Sequence, residues 1–91
     1  MRGSSQFLII IIFSLFIACS ASEEELVEQG RNFLSESKYD QAIMSLDKAL
    51  DKNPSNYLAL NAKGVAQTRL GQFEASVKSF TIAINLDSTD Y

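Results

Sequence analysis

Ninety-one residues are enough for one small domain. Hydrophobic residues make up 46% of the chain, which suits a globular body, and eight basic against eleven acidic side chains leave a net charge of −3. That acidic balance argues against nucleic acid and against electrostatic docking on anionic lipid, while the absence of histidine and a lone cysteine exclude internal disulfides, Cys/His metal sites and histidine-based acid–base chemistry.

The apolar residues are unevenly spread. Phe7 to Cys19 reads FLIIIIFSLFIAC without a charge, preceded by Arg2 and followed by the small residues Ser20, Ala21 and Ser22. Basic, apolar, then small is the order of an export signal. A spanning helix needs about 20 apolar residues, and this run has thirteen, so a removable signal over 1–18 is favoured over a stable transmembrane helix. Arg2 before the run and Glu23, Glu24 and Glu25 after it orient the C-terminal part across the membrane.

Beyond a short tether, 19–22, every segment has helical spacing and none reads as a strand. The first helix is predicted over 23–36, with Ser22 as N-cap and Glu25 three residues later as its capping-box partner. The three glutamates sit where the helix dipole favours anions, so helix chemistry accounts for them better than a ligand site. Leu26, Gly30 and Phe33 share one face. The second helix, 39–52, aligns Ala42, Ile43, Leu46, Ala49 and Leu50, and Asn53-Pro54 stops it. Helices over 57–70 and 73–86 repeat the plan, with Gly71 at the position where a positive φ is cheap for glycine.

The repetition is residue by residue. Units 23–56 and 57–90 align 34 positions apart, pairing Gly30 with Gly64, Tyr39 with Phe73, Ile43 with Val77, Leu46 with Phe80, Ala49 with Ala83 and Leu50 with Ile84. A period of about 34 with two helices per unit is that of a stacked helix–turn–helix array, whose units bury their apolar faces on one another and present a long surface to partners. Gly30, Tyr39, Ala42, Leu46, Ala49 and Pro54 match the tetratricopeptide pattern at six positions, as does the corner Leu70-Gly71-Gln72-Phe73; in the second unit Ser76 and Ser88 depart from it. The chain therefore resembles a tetratricopeptide repeat protein over about 68 residues. That resemblance implies an all-α fold of two tandem repeats in a short right-handed solenoid, with the glycines, rings and alanines serving as core.

A second resemblance lies at the N-terminus. Leu15-Phe16-Ile17-Ala18-Cys19 is similar to the lipobox of bacterial lipoproteins, in which the cysteine is acylated and becomes the new N-terminus; Phe16 and Ile17 depart from its usual residues. It implies lipidation at Cys19 and, with Ser20 next, passage to the outer membrane. Cleavage after Ser20 or Ser22, leaving a secreted or signal-anchored chain, stays open.

In tetratricopeptide arrays the concave surface is lined by one face of each first helix. Carried over, that face is Glu24, Val27, Arg31, Leu34 and Ser35, then Leu58, Asn61, Val65, Thr68 and Arg69. Val27, Arg31, Leu34, Asn61, Val65, Thr68 and Arg69 are the candidate peptide-binding residues, the arginines suiting acidic groups or a C-terminal carboxylate. The lysine–asparagine clamp by which some family members hold chaperone tails is replaced here by Val27, Arg31 and Ala62. The carboxylate pairs Glu36/Asp40 and Asp47/Asp51 have neither histidine nor metal motif beside them and read as solvated faces.

The expected function is a non-catalytic protein–protein interaction module without cofactor or metal. As an exported, membrane-tethered lipoprotein, it would act as a scaffold or assembly factor at the cell envelope. The alternative is the N-terminal targeting and docking segment of a longer enzyme or sensor. Arrays usually hold about three units and a polar cap, and nothing after Leu86 resembles one. The sequence is thus expected to be a piece of a longer array, or its last helix is covered by self-association or a partner.

Overall fold

The computed structural model describes residues 21–88. The export segment and Cys19 lie outside the described residues. Four helices follow one another: α1, Glu23–Ser35; α2, Tyr39–Lys52; α3, Tyr57–Arg69; and α4, Phe73–Ser88. α1 packs on α2 and α3 on α4 as two antiparallel hairpins; α3 also lies against α2 and reaches α1. Four helices packed in tandem as two hairpins are consistent with two tetratricopeptide-like repeats.

The helix ends follow local chemistry. The Ser22 hydroxyl accepts the Glu25 backbone N–H at 3.2 Å, and Asn56 Oδ1 accepts the Ala59 N–H at 3.0 Å, so α1 and α3 each start from a side-chain cap. The two corners inside the repeats are copies. The Lys38 N–H reaches the Phe33 carbonyl and the Ser37 N–H the Leu34 carbonyl; the Gln72 N–H reaches Gln67 and the Gly71 N–H Thr68. Each is the paired-bond helix end built around a left-handed residue, supplied by Gly71 at φ 78° and by Ser37 at φ 61°. Glycine meets that need freely, whereas serine adopts it against its Cβ.

Between the repeats the chain is tied by one carboxylate. Asn53 and Asn56 both donate their side-chain amides to Glu23 Oε1, at 2.8 and 2.6 Å, and Asn53 Oδ1 accepts the Ser55 N–H at 3.1 Å. The start of α1 is thereby fastened to the α2–α3 turn. One period later α4 continues two residues beyond the expected end at 86. Ser88 occupies the place of Pro54 and, unlike proline, leaves the backbone able to stay helical.

The core is built on small residues. Leu26, Val27, Ala42, Leu46, Ala49, Ala59, Ala62 and Ala66 form one buried cluster, with Phe33, Leu34, Tyr39, Ile43 and Leu50 packed against it. Leu46 is fully buried, and a Cβ at Gly30 would stand 2.6 Å from its Cγ. At Gly64 a Cβ would stand 2.7 Å from the Phe80 ring. Both glycines are therefore points of helix contact. In the second repeat the hairpin is closed with hydroxyls as well as hydrocarbon. Ser76 donates to the Gly64 carbonyl at 3.1 Å, and Ser79 to Gln67 Oε1 at 2.7 Å. Ser76, which departs from the family's alanine, is thus buried with its hydroxyl satisfied.

Candidate functional site

The solvent-facing side of the α1–α3 pair carries two adjoining depressions. One, of about 590 Å³, is lined by Glu24, Val27, Glu28, Arg31, Asn32, Ser35, Asn56 and Leu58. The other, of about 260 Å³, is lined by Arg31, Leu34, Leu58, Asn61, Ala62 and Val65. Arg31 and Leu58 belong to both, so the two make one continuous groove.

Helical spacing accounts for the lining. Glu24, Val27, Glu28, Arg31 and Ser35 recur at three- and four-residue intervals along α1, as do Leu58, Asn61, Ala62 and Val65 along α3. The tie from Glu23 to Asn53 and Asn56 holds the N-terminal ends of both helices at a fixed separation, which sets the groove's width there. Glu24, Glu28 and Arg31 follow one another along the α1 wall, and the half-exposed Leu58 and Val65, with Asn61 between them, stand on the facing α3 wall. Among the described residues Arg31 forms no ion pair, the two cross-links of that kind being Lys38–Glu36 at 3.0 Å and Lys63–Asp47 at 2.6 Å. An exposed guanidinium with its donors unspent can take a carboxylate in two-pronged fashion.

Of the residues expected on the concave surface, Val27, Arg31, Leu34, Asn61 and Val65 line the groove, together with Glu24, Ser35 and Leu58. Val27 is 6% exposed and forms floor rather than wall. Thr68 and Arg69 line neither depression. The Thr68 hydroxyl donates to the Ser76 hydroxyl, which in turn donates to the Gly64 carbonyl, and this ties Thr68 toward α4. Sequence reasoning passed over Glu28, Asn32 and Asn56. Glu28 lies one turn after Glu24, a signal the sequence did carry; Asn56 enters only because the interrepeat turn folds back beside α1. The carboxylates Glu36 and Asp47 are the partners of Lys38 and Lys63, respectively.

The chain is similar to the Hsp70-Hsp90 organizing protein 2 of Arabidopsis thaliana, at 30% identity over 66 residues, which are 72% of this chain and 12% of that protein. It therefore spans about an eighth of that relative's length. No protein-family model matches the chain. No solved structure matches it either.

Proposed function

We propose that the chain is a non-catalytic interaction module that binds an extended peptide segment of another protein along the α1–α3 groove. The observation that carries this is the groove itself, with Glu24, Glu28 and Arg31 in order along its α1 wall and apolar Leu58 and Val65 on its α3 wall. The similarity to a protein named as an organizer of other proteins supports the same class of function. The fitting ligand has a carboxylate for Arg31, apolar side chains for Leu58 and Val65, and a basic residue for the glutamates. An array of extended peptides, with that charge order and with it reversed, tests the reading by fluorescence anisotropy. Peptides of the stated order bind at micromolar level, and Arg31→Ala weakens them about tenfold, consistent with one charge-assisted contact. Indifference to charge order and to Arg31→Ala contradicts it.

The module is held at the cell envelope by acylation of Cys19, facing the periplasm from the outer membrane, where it serves as a scaffold or assembly factor and associates with itself through its last helix. Ala18-Cys19-Ser20 at the end of an uncharged run supports the anchor, and several acyl chains at about 0.8 kcal/mol per buried CH₂ would make it durable. Labelled palmitate enters the full chain in a lipoprotein-processing bacterium and is lost in Cys19→Ala. Equal labelling of both, or a mature N-terminus that begins after Cys19, removes the anchor from the account.

A further inference from the structure

Asn56 is used more fully than a helix cap requires. Its Oδ1 accepts the Ala59 N–H at 3.0 Å and so caps α3, its amide nitrogen donates to Glu23 Oε1 at 2.6 Å, and the residue lines the larger depression of the groove. The cap alone does not call for asparagine. Ser22 starts α1 with a hydroxyl, and serine caps a helix as well as asparagine does. What asparagine adds is an amide nitrogen carrying a pair of hydrogens. One goes to Glu23, and among the described residues the other has no acceptor.

The same bonds fix the way the amide faces. A backbone N–H only donates and a carboxylate only accepts, so the oxygen is turned to Ala59 and the nitrogen to Glu23. Glu23 is held in its turn by the Asn53 amide, at 2.8 Å. The half-buried Asn56 side chain is thereby ordered before any ligand arrives, and its spare N–H is offered without a further entropic cost. Asn32 and Asn61, the other amide side chains of the groove, are exposed and make no side-chain hydrogen bond among the described residues, so binding through them would first have to order them.

The surroundings decide what that N–H can meet. Glu24 and Glu28 line the same depression, and Glu23 stands beside the amide. These carboxylates repel an anion, so the fitting acceptor is neutral. A main-chain carbonyl is such an acceptor, and an extended peptide carries them unpaired along its length. We infer that Asn56 is a contact residue of the groove that donates to a main-chain carbonyl of the bound peptide, and that Glu23 is the residue that positions it. The inference rests on the peptide reading of the groove and adds to it a contact that does not depend on the ligand's side chains. Arg31 selects a carboxylate, while Asn56 holds the main chain near the ligand's basic residue.

The test uses the full chain and the peptide of the stated charge order, with analogues in which one backbone amide at a time is replaced by an ester, whose carbonyl is a weaker acceptor. One analogue binds the unaltered chain about fivefold more weakly than the parent peptide, the size of one neutral hydrogen bond. Asn56→Ser, which keeps a capping oxygen but lacks the amide donor, binds the parent about fivefold more weakly, and in it that analogue and the parent bind alike. Glu23→Ala behaves as Asn56→Ser does, whereas Glu23→Gln, whose Oε1 still accepts both amides, restores the difference between analogue and parent. An ester penalty of unchanged size in Asn56→Ser overturns the contact, because a merely structural asparagine would leave it in place. A Glu23→Ala chain that keeps both its affinity and the ester penalty overturns the positioning role. Binding that depends on Arg31 but not on Asn56 removes this inference and leaves the groove reading standing; no binding of any peptide removes both.

Discussion

Ser37 and Gly71 stand at the same corner of the two repeats, with the same hydrogen bonds and the same hand of backbone, yet only one of them is glycine. Nothing lies within 4 Å of a Cβ added to Gly71, so any penalty there belongs to the backbone alone. Substitutions at the two sites should act in opposite directions. Ser37→Gly raises stability by about 0.5–1 kcal/mol as the left-handed strain is relieved, less the extra freedom that glycine gives the unfolded chain. Gly71→Ala lowers stability by about 1 kcal/mol. Urea melts of residues 20–91 check both, and shifts of the same sign would contradict the corner geometry.

At the scale of the helix pair, contact is governed by Gly30 and Gly64, but the two are not equally constrained. A methyl at Gly30 meets the branch carbon of a fully buried leucine, whereas one at Gly64 meets the edge of a ring that is partly exposed. Gly30→Ala should therefore cost on the order of 1–3 kcal/mol of overpacking, offset by about 1 kcal/mol of helix propensity. Gly64→Ala comes close to neutral because Phe80 can swing outward, and Gly64→Leu, too large for that escape, destabilises on the order of 1–3 kcal/mol. Thermal midpoints in the order Gly64→Ala, then Gly30→Ala and Gly64→Leu below it, bear this out; a raised midpoint for Gly64→Leu sinks the packing register.

These glycines were legible because repetition places them 34 residues apart, each facing a large residue that repeats with it. The Glu23 tie was not legible. It joins residues 30 and 33 positions apart through a turn whose path depends on tertiary packing, and its counterparts one period later, Tyr57, Asp87 and Asp90, lack that chemistry. The hydroxyl closure of the second hairpin was hidden for a related reason. Ser76 looks like a flaw in the pattern until the Gly64 carbonyl is seen to accept from it. Thr68 shows the limit of spacing arguments: its position lies on the expected face, while its hydroxyl turns to Ser76. α3 meets three neighbours, α4, α2 and α1, so its apolar residues are spread round the helix and its periodicity is weaker than that of α1 or α2.

At the scale of the whole molecule, the two packed repeats offer a groove on their α1–α3 side and exposed apolar residues on their α4 side. They are separate surfaces, since no residue of α4 lines the groove. The groove is the centre of the functional account, and backbone amide mapping tests it most directly. In a titration of ¹⁵N-labelled residues 20–91 with a peptide of the stated charge order, followed by NMR, the account predicts shifts at Arg31, Leu58, Asn61 and Val65. Met44 and Ile82, exposed on other helices away from the groove, should stay still. Shifts gathered at Met44 and Ile82, or none at saturating peptide, would contradict the account.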